Sequence, residues 1–332
     1  MKAFVHEGAA GLEGARYTEH TAPVPKKGEV KVKLKYAGLN HRDLFVLERH
    51  NQQDPPLILG SDGAGVIEET GPEVTRFSEG DSVIINPSLG WLTKSDAPPE
   101  GYKVLGLPDH GTFAETITIS QEYIEKKPEH LTWEEAGVLA LSALTAYRAL
   151  FTRAKIKRTD TILLPGVGSG AVTFLLLFAK AIGARVIVTS RSEEKRRKAL
   201  ELGADIAIDS SGDWDKALHG EKADIAIETI GAATFNKTLS QVRKGGTLVT
   251  FGASAGDEVT LNLRSLFYGQ FNLLGSTMGS RDELREMLYF INRYQIKPVI
   301  DQVFPLSHTA EAMRRLEDAE QFGKIPLEIQ PT

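Results

Sequence analysis

The stretch "DTILLPGVGSGAV", residues 160–172, decides the fold. Its first half is a short apolar run of the kind that forms a strand buried on both faces. Its second half sets Gly166, Gly168 and Ala171 in a G-x-G-x-x-A spacing, directly before the apolar helix pattern "AVTFLLLFAKAIGA". A tight turn needs residues without a Cβ clash, and a pyrophosphate needs the backbone to come close. The helix N-terminus then offers unpaired N–H groups and the positive end of a dipole. Glycine clusters are common in ordinary turns; the strand before this one and the helix after it are the context of a dinucleotide site. Gly166, Val167, Gly168, Ser169, Gly170 and Ala171 are therefore candidates to hold a cofactor pyrophosphate.

Strand and helix alternate onward from this turn. "RVIVTS" reads as a second strand, "SEEKRRKALELGA" as a helix, and "DIAIDS", "ADIAIETIG", "GTLVTFGA" and "FNLLGST" as four more strands. Such alternation predicts a Rossmann doubly wound parallel sheet, an α/β fold with helices on both faces. Ligands of such sheets lie beyond the carboxyl ends of the strands. That places Phe251 and Gly252, and Ser276, Thr277 and Met278, against the nicotinamide half of a dinucleotide.

The end of the second strand selects the cofactor. NAD sites place Asp or Glu about 20 residues after the glycines, to accept from the ribose 2′-OH. Here Thr189, Ser190 and Arg191 stand there, with Lys195 one helical turn on. Ser190 can donate to a 2′-phosphate, and Arg191 can stack on adenine and pair with the phosphate. The missing acid and the supplied bases predict NADPH. The bland alternative is a solvated basic face made by Arg191, Lys195 and Arg196.

The first third has a different rhythm. "EVKVKLKYAGL" alternates in the two-residue period of a half-buried strand, and "GSDGAGVIEETG", "EGDSVIINP" and "HGTFAETITIS" repeat the pattern between Gly and Asp turns. Residues 88–110 lose periodicity and read as a loop or lobe. Thr132 with Glu135 fits a capping box that opens the helical run to Leu150. After residue 280 the chain returns to a helix ("RDELREMLYFINRY"), a strand ("VIDQVFPL"), a second helix and a last strand ("GKIPLEI").

With 332 residues, 41% of them hydrophobic and 25% charged, the chain has apolar material for two cores. A formal net charge of −5 argues against a generalised nucleic-acid partner. The absence of cysteine excludes disulfides, thiolate–zinc sites and cysteine nucleophiles. The most apolar run, Ala171 to Ala181, is too short to span a bilayer, and no signal-peptide pattern opens the sequence. A cytoplasmic location is expected.

Taken together, "GLNHRDL", "GSDGAGVI", "EGDSVI", "GTFAE", "LTAYRAL", "GVGSGAV", "LGAD" and "GSTMGSR" resemble the medium-chain dehydrogenase/reductase superfamily over nearly the full chain. The resemblance implies a GroES-like, mainly antiparallel β catalytic domain (residues 1–126 and 279–332) and a Rossmann NADP-binding domain (residues 127–278). It implies a nicotinamide cofactor between them and a homodimer built through the Rossmann sheet edge. Zinc-dependent members carry a catalytic Cys where this chain has Asn40, and a His–Glu pair where it has Ser61–Asp62. The four Cys of a structural zinc lobe would fall in the 88–110 region. The chain therefore resembles the zinc-independent branch, similar to quinone oxidoreductases and enone reductases; "zinc-type alcohol dehydrogenase-like" would describe its ancestry rather than its chemistry.

In that branch Asn40 and Thr145 lie near the nicotinamide, and Asp62 stands where a zinc enzyme has its acid. These three are the candidate catalytic residues. The bland readings of Asn40 and Thr145 are a turn-forming Asn and a helix-interior Thr, and Asp62 is either ionised and hydrogen-bonded or a pocket residue with a shifted pKa. Asp43 is expected to be structural, paired with Arg42 or backbone N–H groups, and His41 a packed or surface bystander. Phe45 and Trp91 are candidates for the wall of a substrate pocket, against core packing as the alternative. Lys324 reads as a surface lysine that could reach a phosphate. The expected reaction is metal-free hydride transfer from NADPH to a quinone or α,β-unsaturated carbonyl. The alternatives are a zinc-free alcohol or aldehyde dehydrogenase-like enzyme and a non-catalytic NADPH-binding sensor.

Overall fold

A computed structural model of the protein describes residues 1–51 and 53–329. In chain order the elements are β1 (Lys2–His6), β2 (Ala15–Glu19), β3 (Glu29–Gly38), α1 (His41–Arg49), β4 (Leu57–Ile58), β5 (Asp62–Thr70), β6 (Ser82–Ile85), β7 (Ser88–Leu89), β8 (Lys103–Val104), β9 (Thr116–Ser120), β10 (Ile124–Lys126), α2 (Trp133–Gly137) and α3 (Ala140–Tyr147). The middle of the chain follows with β11 (Thr161–Leu164), α4 (Gly170–Ala181), β12 (Arg185–Ser190), α5 (Glu193–Glu201), β13 (Ile206–Asp209), α6 (Trp214–Ala217), β14 (Ala223–Glu228), α7 (Ala232–Ser240), β15 (Val242–Thr250), α8 (Leu263–Gly269) and β16 (Asn272–Gly275). The tail holds α9 (Arg281–Tyr294), β17 (Phe304–Pro305), α10 (Thr309–Glu317) and β18 (Pro326–Glu328).

Two units result: Met1–Leu144 with Gly279–Thr332, and Thr145–Met278. The boundary expected at residue 126 therefore moves to 144. The cause is the short helix α2, whose Gly137 lies so close to β3 that a Cβ there would stand 2.6 Å from the Tyr36 side chain.

In the first unit, β3 carries the predicted alternation: Val30, Val32 and Leu34 point inward and pack with Ile67, Val83, Ile85 and Ile117. Each such side chain contributes about 1.5–3 kcal/mol by leaving water. The sheet runs β10-β6-β5-β3-β18-β17, with β9 also on β3. Its register matters for function. At its last residue, Gly38, β3 faces Asp62 of β5 on one side and Pro326 of β18 on the other. The head of α1, the start of β5 and the residues just before β18 thus meet at one point. The strand expected over "VIDQVFPL" shrinks to the two residues of β17, because only Phe304 and Pro305 find a ladder partner in β18.

The second unit is a six-stranded parallel sheet in the order β13-β12-β11-β14-β15-β16. Leu163, Ile187, Ala226 and Leu248 are buried within it. Strand order reverses at β11, so the glycine turn after β11 sits at the topological switch point, where such sheets bind ligands. No helix among the described residues is long and apolar enough to cross a membrane.

Candidate active site

The meeting point at Gly38 is a closed polar cluster. Asn40 ends the β3–α1 turn, and its N–H donates to Asp43 Oδ2 at 2.8 Å, which holds the first turn of α1. The Asn40 side chain donates through Nδ2 to Asp62 Oδ2 (2.9 Å) and to Gly38 O (3.4 Å). Its Oδ1 accepts from Ser142 Oγ (3.1 Å) and from Lys324 Nζ (2.6 Å). Lys324 Nζ donates further to Leu39 O (2.8 Å), Ser142 Oγ (3.2 Å) and Asp62 Oδ2 (3.3 Å). The other Asp62 oxygen accepts from the Leu141 N–H at 2.7 Å. Asp62 is 0% exposed and Lys324 2%, so their ion pair is sealed from water. Burial pulls the Lys324 ammonium below the usual lysine range, opposed by the Asp62 charge and hydrogen bond and by Asp43.

Lys324 is thus no surface residue, correcting the sequence expectation. The sheet register turns it inward two residues before β18. The structure brings Asn40 and Asp62 together, and every polar side-chain atom of each has a partner within the first unit. Ser142 was not anticipated, because a serine inside a helical run gives no sign of what it faces.

Asp43 is buried too, and its Oδ1 has no hydrogen-bond partner. Burial pushes its carboxyl up to about 6, against the pull of Arg42 and the Asn40 N–H. A folded-state value above the ordinary 3.8 means that the folded chain holds this proton more tightly. Stability from this group is therefore present at low pH and is lost as pH rises from 3.8 to about 6. The expected loss across that window is about 3 kcal/mol. Urea unfolding at a series of pH values should show that slope, and Asp43→Asn should flatten it.

The remaining candidates of this unit divide. Phe45 is exposed on α1, edge-on to His41 (5.1 Å between centroids), with the Arg49 guanidinium over its ring. His41 stands beside it at the head of the helix, and desolvation lowers its pKa. Trp91 is 1% exposed, with Nε1 donating to Ser95 and its ring edge-on to Tyr102. It is core, which corrects its reading as a pocket wall.

In the second unit the turn after β11 has the geometry a phosphate needs. Gly166 and Gly168 have φ of +74° and +122°, conformations that side-chain-bearing residues rarely adopt. A Cβ on Gly166 would stand 3.0 Å from Ile230, and one on Gly168 2.9 Å from the Lys195 stem. The turn is pinned by the Val167 N–H donating to Thr189 O (2.9 Å), and Ser169 Oγ caps α4 by accepting from Val172 N. Gly170 and Ala171 are the first two helical residues, whose N–H groups have no partner within a helix.

At the end of β12, Ser190 Oγ accepts from Ser192 N (3.2 Å). Arg196 Nη1 donates to the carbonyls of Ser190 (2.7 Å) and Arg191 (3.1 Å), which makes it a brace for this loop. Arg191 is exposed beside it, and no Asp or Glu stands between Thr189 and Ser192. Phe251, Gly252, Ser276 and Thr277 are half-buried at the carboxyl ends of β15 and β16, Met278 is buried, and Thr145 is 8% exposed on α3.

Sequence reading missed Glu228. Buried at the end of β14, its carboxylate accepts from the N–H groups of Ile230 (2.7 Å) and Gly231 (3.2 Å) and from the Thr234 and Thr238 hydroxyls. It fixes the loop whose Ile230 lies on the Gly166 turn. An acid closing the apolar run "ADIAI" was the available signal.

A GroES-like β unit with a Rossmann sheet carrying this phosphate turn defines the two-domain dehydrogenase class. Family models agree: residues 26–129 match the alcohol dehydrogenase GroES-like domain, and residues 166–293 the zinc-binding dehydrogenase domain. A zinc-type alcohol dehydrogenase-like protein of Schizosaccharomyces pombe is 32% identical over 99% of both chains. A crotonyl-CoA reductase of Streptomyces avermitilis is 28% identical over 91% of this chain and 80% of its own. The crystal structure of an NAD-dependent alcohol dehydrogenase superposes with a TM-score of 0.91 at 36% identity, covering 99% of this chain and 100% of that one. The chain belongs to the medium-chain dehydrogenase/reductase superfamily and is an oxidoreductase of that kind.

The zinc of the family model's name does not fit the residues of this chain. Asn40 and Asp62 are committed to protein partners, Ser61 Oγ donates to Leu105 O at 2.8 Å, and an ammonium occupies the middle of the cluster. Among the described residues no group of three or more His, Asp or Glu side chains could hold a metal ion. A dinucleotide does fit, since the Gly166–Gly168 cradle is one that any Cβ would fill.

Proposed function

We propose that the protein reduces a quinone or an α,β-unsaturated carbonyl with NADPH, and that it does so without a metal. The sealed Lys324–Asp62 pair carries this reading. Its ammonium makes all its hydrogen bonds to protein oxygens, so this cluster has no charged electrophile left to polarise a simple ketone. An acceptor that is already electron-poor needs less help. NADPH held at the Gly166–Ala171 turn would supply the hydride for such an acceptor, with solvent as the proton source.

The chain's own residues do the rest. Gly166 to Ala171 receive the pyrophosphate, while Ser190, Arg191 and Lys195 favour a 2′-phosphate over a bare ribose. Thr145, Phe251, Gly252 and Ser276 to Met278 serve the nicotinamide half. Asn40 acts by holding the turn at the head of α1. Phe45, with His41 at its edge, offers an aromatic surface suited to a flat acceptor. The name of one relative, crotonyl-CoA reductase, is consistent with this acceptor class.

A second reading, an alcohol dehydrogenase using NAD, draws on the name of the 36%-identical structure. One panel separates the two. NADPH oxidation with quinones, 2-alkenals and enones, with and without chelator, is the expected activity, unchanged by chelator. Alcohol oxidation with NAD, or loss of turnover on chelation, would replace the proposal. Tight NADPH binding with no turnover on any acceptor would mark a cofactor-binding protein without catalysis.

A further inference from the structure

The four acceptors around Lys324 come from three separate parts of the first unit: the β3–α1 turn (Leu39 O and Asn40 Oδ1), the start of β5 (Asp62 Oδ2) and α3 (Ser142 Oγ). All four are oxygens. Only Asp62 among them is a carboxylate, so the formal charge of the cage is opposite and equal to that of one ammonium. We propose that the Lys324 ammonium is the resident cation of this site, doing from within the chain what a bound ion would do: compensating Asp62 and fixing the Asn40 amide.

The chemistry of the cage supports this. Oxygen-only donors with a single negative charge suit a hard monovalent cation or an ammonium. Zinc instead selects imidazole nitrogen and thiolate sulfur, and this cage has neither. Burial takes the ammonium out of bulk water, and among the described residues these four oxygens are its hydrogen-bond acceptors. Lys324 faces protein on every side and is a positioning residue. Its loss frees the Asn40 amide and leaves the Asp62 charge buried without a counter-ion. The inference deepens the metal-free reading of the site and rests on it in that respect.

The test is chemical rescue of Lys324→Ala. This substitution removes three methylenes and an ammonium, which n-propylammonium replaces. The wild-type protein is expected to purify without stoichiometric zinc, and its melting temperature to be indifferent to chelator. Lys324→Ala should melt lower by about 10 °C. n-Propylammonium chloride should restore much of that loss, whereas tetramethylammonium chloride, which has no N–H to donate, should not at the same ionic strength. Lys324→Met fills the volume without the charge, so it should be destabilised and not rescued. Adding Asp62→Asn to Lys324→Met should recover stability, because neither charge is then left alone. This pair of variants keeps the question open to test should Lys324→Ala not fold.

Lys324→Met as stable as wild type would overturn the proposal, as would stoichiometric zinc whose removal lowers the melting temperature. So would a folded Lys324→Ala that the amine fails to stabilise. Because these readouts are stabilities and metal content, a chain with no quinone turnover would still report on Lys324.

Discussion

Asp62→Ala is expected to cost about 4 kcal/mol of stability at neutral pH, the range for removing one partner of a buried ion pair. Asp62 is 0% exposed and bonds Lys324, Asn40 and the Leu141 N–H. Its removal leaves an ammonium, an amide N–H and a backbone N–H without their acceptor. The ammonium can escape by losing its proton, since burial already pulls it down and the Asp62 charge and hydrogen bond are what chiefly hold it up. The folded value then lies further below the ordinary 10.5, and between those values the unfolded chain binds a proton that the folded chain does not. Stability of the variant must therefore rise as pH rises through that range. Denaturant unfolding of wild type and Asp62→Ala at neutral and alkaline pH should show the gap closing. A gap that stays constant or widens would mean that Lys324 does not carry the charge.

A double substitution of Arg191→Ala and Lys195→Ala should raise KM for NADPH about 100-fold and leave that for NADH nearly unchanged. Arg191 stands exposed where an NAD site has its acid, and the Lys195 stem lies against the Gly168 turn. Each charged hydrogen bond to a phosphate contributes about 1.5–3 kcal/mol. Two of them at the lower end give about 3 kcal/mol, or two factors of ten. The decisive measurement is the ratio of kcat/KM for the two cofactors. A variant that loses both cofactors equally would show that these side chains hold the turn rather than read the phosphate.

The dinucleotide half was legible from residue order alone. Strand, glycine turn and helix are consecutive in "DTILLPGVGSGAV", so the backbone that makes the phosphate cradle is local. The φ values of Gly166 and Gly168 are what that spacing calls for. Alternation within "EVKVKLKYAG" likewise gave β3 and its buried face. Trp91 and Lys324 were not so legible. Side-chain type left Trp91 between a pocket wall and the core and suggested a solvated lysine, and packing buried both.

By itself, the sequence determined the two kinds of sheet, the phosphate turn, the lack of an acid at the end of β12 and the lack of any thiolate ligand. Each is a property of residues close along the chain or of composition. Only the tertiary structure decided what Asn40 and Asp62 do. Their partners Ser142 and Lys324 lie 102 and 284 positions from Asn40; the packing of α2 on β3 brings the first close and the antiparallel register of β3 with β18 the second. Burial there strips the water from Lys324, which is why an ordinary-looking lysine becomes the counter-charge of the site.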